Sequence, residues 1–167
     1  LRNLPPQKGE AFNSLALELF ALQFAANASY RQFCQARQVA PRQLAHWTQI
    51  PAVPTAAFKE WELSCLPVGQ RTAVFHSSGT TVQRPSRHYH HAGSLALYEA
   101  SLLRWFEAHS QLPIANSQLV ILTPPPLQAP HSSLVHMFET IRREVGWSGS
   151  AFVGKVAKGG AWTLDAE

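Results

Sequence analysis

The residues best suited to chemistry run from Val74-Phe75-His76-Ser77-Ser78-Gly79-Thr80-Thr81 through Val82-Gln83-Arg84-Pro85-Ser86-Arg87-His88. The stretch starts as a short apolar strand, breaks into small hydroxyl residues around a glycine, and ends in a basic tail punctuated by proline. Gly79 permits a tight turn and a close backbone approach where a Cβ would collide. Successive N–H groups in such a loop form an anion-binding concavity, and Ser77, Ser78, Thr80 and Thr81 add hydroxyl donors. Arg84 and Arg87 bring positive charge, Arg87 being the better placed because Arg84 is constrained by the proline that follows it. The loop reads as a polyphosphate cradle. It is not the Walker pattern, because no Gly-Lys-Ser/Thr follows at the required spacing. Nor is it a serine hydrolase: His76 and Ser77 face opposite ways on an extended strand, and there is no Gly-x-Ser-x-Gly elbow.

The histidines are the next candidates. His88, His90 and His91 suggest a metal, but zinc needs three or four converging ligands, usually with carboxylate or cysteine support. An alternating strand sends His90 away from His91, and no acidic residue lies between Gln70 and Glu99. No metal site is expected. His88, beside Arg87, reads as a phosphate or backbone contact. His131 and His136 flank a second proline-rich segment, Thr123 to Ser133, and are candidates to line the same site, against the alternative of ordinary helix-start or surface histidines.

The elements that must position these groups follow from periodicity. Phe12, Leu15, Leu19, Leu22, Ala26, Tyr30 and Phe33 recur at helical steps, with Asn13 or Ser14 as a start cap and Asn27 as an interruption giving two helices. The stripe reads as core, with a docking surface as the functional alternative. Gln38 to Pro41 make a turn and Arg42 to Thr48 a short helical piece. Pro51 and Pro54 exclude regular helix or central strand from the segment Ile50 to Glu60, which Phe58 anchors while Lys59, Glu60 and Glu62 face water. After the loop, Leu95, Tyr98, Leu102, Trp105 and Phe106 define a helix opened by Gly93-Ser94. Gln118 to Thr123 is a continuous apolar run, as in a buried parallel strand. Ser132 or Ser133 caps a helix through Leu134, Phe138, Ile141 and Val145 that Gly146 closes, and Ala151-Phe152-Val153 is a further strand. The expected architecture is α/β: one domain over 1–167, helical over 1–48, irregular over 49–73, and a βαβαβ layer over 74–167 with its ligand at the carboxyl ends of the strands.

Composition narrows the function classes. The net charge of +4 is small and its Lys and Arg are scattered, which argues against nucleic acid. The richest apolar stretch, Leu15 to Ala26, carries Glu18 and Gln23 and is too short to span a bilayer, and no signal peptide is visible, so a cytoplasmic location is expected. Cys34 and Cys65 lack metal-type spacing and read as free, buried small hydrophobes. Only 14% of residues are charged while 46% are hydrophobic, which suggests apolar surface that meets something else.

Ser77-Ser78-Gly79-Thr80-Thr81 with its basic tail resembles the phosphate-binding loop of the adenylate-forming enzymes. Three more blocks, Ile50 to Glu60, Pro85-Ser86-Arg87-His88 and Ser132-Ser133-Leu134-Val135-His136-Met137, make the chain similar to the LuxE acyl-protein synthetase family from about Leu17 to at least Val145. The resemblance implies the N-terminal portion of an adenylation domain, inactive alone, in an ATP- and Mg²⁺-dependent ligase. Such an enzyme activates a carboxylic acid, a fatty acid in this family, as acyl-adenylate and transfers the acyl group to a thiol, with an acyl-acceptor or reductase protein as partner. Ser77, Ser78, Gly79, Thr80, Thr81 and Arg87 would bind the ATP phosphates. Val82 stands where the family has glycine, and a β-branched residue stiffens the loop. The alternative is a non-catalytic nucleotide- or protein-binding module.

Overall fold

A computed structural model describes residues 6–77, 84–110, 118–146 and 148–164. Helix α1 spans Pro6–Ala26 and α2 spans Ala28–Gln35. Asn27 divides them as the sequence predicts, its side chain accepting the N–H of Tyr30 at 3.1 Å as the N-cap of α2. The start differs from expectation. The helix begins with Pro6 in its first turn, where a missing N–H costs nothing, and Asn13 instead ties α1 to the next segment. Its Nδ2 donates to the Ala45 carbonyl and its Oδ1 accepts from Trp47 N–H at 2.7 Å.

The predicted core stripe also needs correcting. Leu15, Leu19 and Leu22 are 55%, 50% and 55% exposed, while the helical core consists of Phe20, Tyr30, Phe33 and Cys34, with Phe24, Ile50, Val53 and Leu63 against it. The break at Asn27 gives α2 its own direction, so a periodicity counted across it does not describe one face. Phe20 and Phe24, four residues apart, point inward instead. Cys34 is buried as expected, and Cys65 is half-buried. Short 3-10 turns at Pro41–Gln43 and Trp47–Gln49 replace the single helical piece foreseen there. The four-residue helix α3, Ala57–Glu60, and a 3-10 turn at Val68–Gln70 punctuate the otherwise irregular segment that follows.

The C-terminal half is mixed helix and strand, but not one βαβαβ layer. Among the described residues the strands form three two-stranded sheets. Strand β1 (Ala73–His76) pairs antiparallel with β2 (Arg87–His90), in the register Ala73 with His90 through His76 with Arg87. A hairpin needs only a turn between its strands, whereas a parallel pair needs a crossover. Helix α4 (Ala92–His109) therefore follows β2. His91 caps it, Nδ1 accepting from Ser94 N–H at 2.8 Å. The parallel unit that the sequence does predict is β3 (Val120–Ile121), α5 (Ser133–Val145) and β4 (Ala151–Phe152). Ser132 caps α5, and Gly146 ends it at φ 65°, the left-handed conformation glycine tolerates. Strand β3 is shorter than its apolar run and buried on one face only: Ile121 is enclosed while Val120 and Leu122 are exposed. A hairpin of β5 (Gly154–Val156) and β6 (Trp162–Leu164) closes the described chain.

Candidate functional site

Ser78, Gly79, Thr80 and Thr81, with Val82, lie outside the described residues. The site is therefore built from its two flanks, Ser77 and Arg84 onward. These flanks meet. Ser77 N–H donates to the Ser86 carbonyl at 3.1 Å, and Ser86 N–H donates to Ser77 Oγ at 3.0 Å. The hydroxyl accepts in that bond, which does not use its own O–H. Ser86 is buried and its Oγ lies 3.1 Å from His88 Nε2. Together these bonds pin both ends of the 78–85 connection to a closed neck.

Directly opposed residues of an antiparallel pair share a face. His76 and Arg87, paired in register, are thus neighbours on one face of the hairpin. His131 joins them from the segment leading into α5, stacking on His76 with ring centroids 4.7 Å apart. Two hydrogen bonds hold it. His76 N–H donates to the His131 carbonyl at 2.8 Å, and His131 Nδ1 lies 3.1 Å from the Val74 carbonyl. A carbonyl only accepts, so Nδ1 carries the proton of that bond. The segment thereby covers the edge of β1 turned away from β2. Burial, then the nearby charges of His131 and Arg87, hold the His76 pKa below the ordinary histidine value. Further along this face Arg71 lies over the Tyr89 ring and pairs with Glu62. That bond lowers the Glu62 pKa, with Arg87 contributing from farther away. Glu62, the carboxylate on which Arg87 acts, is thus already engaged by Arg71.

The opposite face holds the other two histidine candidates. His88 stacks on Phe58 with centroids 5.3 Å apart, and His136 packs against Phe75 with its Nε2 2.8 Å from Glu99 Oε1. His90 and Tyr98 complete that cluster around Phe75. The hairpin therefore gathers Arg87 and His131 beside His76 on one face, whereas Ser77 is linked through Ser86 to His88, on the face that also holds His136. It adds His76 and Ser86, which the sequence reading did not select. The pattern that could have shown them is Arg-His-Tyr-His over 87–90, whose alternation becomes legible once it is recognised as the return strand of a hairpin.

Among the described residues no group of three or more His, Cys, Asp or Glu side chains is placed to hold a metal ion, and no helix is long and apolar enough to cross a membrane. Beside the Ser77–Ser86 neck the hairpin instead presents a guanidinium and two imidazoles on one face. That is an arrangement suited to an anion. No protein-family model matches this chain, and no curated protein matches it.

Proposed function

We propose that the chain is part of an ATP-dependent acid–thiol ligase of the acyl-protein synthetase kind. The observation that supports this reading is the closed neck between Ser77 and Ser86, next to which Arg87 and the His76–His131 pair share one face of the hairpin. In the proposed reaction a carboxylate oxygen of the acid attacks the α-phosphorus of ATP, the bond to the β-phosphate bridging oxygen breaks, and pyrophosphate leaves. A thiol then attacks the acyl carbon of the adenylate and AMP departs. The chain's part is electrostatic: loop N–H groups and hydroxyls, with Arg87, hold the phosphates while charge shifts onto the leaving group. Mg²⁺, when bound with the nucleotide, would supply charge neutralisation; among the described residues no group of three or more His, Cys, Asp or Glu is placed to hold it.

The test is a nucleotide titration at fixed salt with three proteins. Arg87→Ala should weaken ATP binding roughly ten- to a hundredfold, the value of a charge-assisted hydrogen bond. Arg87→Lys keeps the charge but loses the planar fork and should fall between wild type and alanine. A flat series removes Arg87 from the site. ATP–pyrophosphate exchange with a panel of carboxylic acids, on the intact gene product, tests the reaction class. The second reading, a module that binds a nucleotide or partner without turnover, draws on the exposed leucines of α1. It predicts nucleotide binding without exchange for every acid.

A further inference from the structure

The helical half contains a cleft of about 420 Å³ between α1, α2 and the 50–63 segment, within the range of small-molecule sites. Phe20, Tyr30, Ile50, Val53, Phe58 and Leu63 wall it, and none of its lining residues is charged. Gln23 and Asn27 form its only amide corner. Asn27 is 3% exposed. Its Oδ1 accepts the Tyr30 N–H at 3.1 Å, and because a backbone N–H can only donate, that bond fixes which end of the amide is oxygen. Nδ2 is therefore the group left over. Among the described residues its side-chain hydrogen-bond partner is Gln23 Oε1 at 3.5 Å, the outer limit of a hydrogen bond. With Oε1 turned to Asn27, Gln23 Nε2 has no protein partner among the described residues. The remaining polar group, the Tyr30 hydroxyl, already donates to the Pro51 carbonyl at 2.8 Å.

A buried amide whose donors are poorly engaged calls for an explanation. An apolar cleft whose two amide donors are at best weakly engaged, and whose lining carries no charge, suits one uncharged oxygen. A carboxylate there would lose hydration with no cation beside it, and a pure hydrocarbon would leave the donors unmet. We propose that the cleft binds a neutral, mainly aliphatic carbonyl compound (an amide, ester or ketone). Its oxygen accepts from Asn27 Nδ2 and Gln23 Nε2, and its chain lies along Phe20, Ile50, Val53 and Leu63. Phe58 walls the cleft and stacks on His88, so the site abuts the strand that leaves the 78–85 connection. The proposal does not depend on what that connection binds.

Isothermal titration of the whole chain with octanamide, octanoate and octane at neutral pH tests it. Octanamide should bind saturably at one site. The other two should bind at least about tenfold more weakly, the factor that one unmade buried hydrogen bond produces. Asn27→Asp retains a helix-capping oxygen but removes the donor, and should lower octanamide affinity at least about tenfold. If a carboxylate at that buried position prevents folding, Gln23→Leu decides. It leaves a good helix former on a half-buried position of α1 and should also weaken octanamide while leaving octane unchanged. Octanoate binding as tightly as octanamide, variants with unaltered affinity, or no saturable binding would each overturn the proposal. So would a chain that sediments as a dimer and binds none of the three probes, which assigns the cleft to a second copy.

Discussion

His76 and His90 show how residue-scale environment becomes a pH response. Burial is the main cause that holds both rings below the ordinary histidine pKa. His131 and Arg87 add to it for His76, and His88 and His136 for His90. The sign follows from proton counting. As pH falls below about 6.5, the unfolded rings take up protons before the folded ones do. Stability is therefore fully present above that pH and declines below it, until the folded rings also protonate. Glu62 and Glu139, held low by Arg71 and Arg142, act only in the carboxylate range below about 4.5. A urea midpoint that drops between about pH 7.5 and about pH 5.5 thus reports the histidines. His76→Gln and His90→Gln should each flatten that drop. Equal slopes in wild type and both variants would remove these rings as its source.

At the scale of elements, a tight junction lies where β5 begins against the end of the β3 segment. Gly154 N–H donates to the Thr123 carbonyl at 3.2 Å, and a Cβ on Gly154 would sit 2.4 Å from the Thr123 carbonyl carbon. Backbone cannot yield as a side chain tip can. Gly154→Ala should cost on the order of 1–3 kcal/mol, measurable by urea unfolding. Gly69→Ala, where nothing lies within 4 Å of the added atom, is the control and should be near neutral. If the two variants unfold alike, the strand crossing is not tight. Much of this half was readable beforehand. The Ser132 cap, the Gly146 stop and the parallel β3–α5–β4 unit all follow from capping chemistry and apolar runs, because those signals are local. The β1–β2 hairpin was not. Its second strand, Arg-His-Tyr-His, lacks an apolar alternation, and strand pairing is decided by partners distant in sequence. The β5–β6 hairpin was missed too, although Gly159 and Gly160, at φ 101° and 84°, mark its turn. For the site the outcome is similar. The loop's chemistry could be read from residue types, but His76 and Ser86 became members only through the register that brings them to Ser77 and Arg87.

Over the whole molecule, apolar side chains are divided between buried and exposed sets in a way that composition alone did not reveal. Phe20 is 3% exposed at the centre of the helical core, while Leu15 and Leu22, on the same helix, remain mostly in solvent. Leu97 and Trp105 on α4 and Val120 and Leu122 on β3 are likewise exposed. This explains how a chain with few charges and many hydrophobic residues can have only modest enclosed centres. It also makes the leucine stripe separable from folding. A fully buried leucine is worth about 1.5–3 kcal/mol in transfer terms, and a half-exposed one roughly half of that, so the Leu15→Gln/Leu22→Gln double variant should lose no more than about 3 kcal/mol. Phe20→Ala removes one fully enclosed ring and should lose about 3–5 kcal/mol. The double variant should also bind less of a hydrophobic dye in its native state, because it removes exposed apolar surface. Urea unfolding and dye fluorescence on the three proteins check both statements. A double variant that destabilises as much as Phe20→Ala, with dye binding unchanged, would mean that the stripe is packed into the fold rather than presented to solvent.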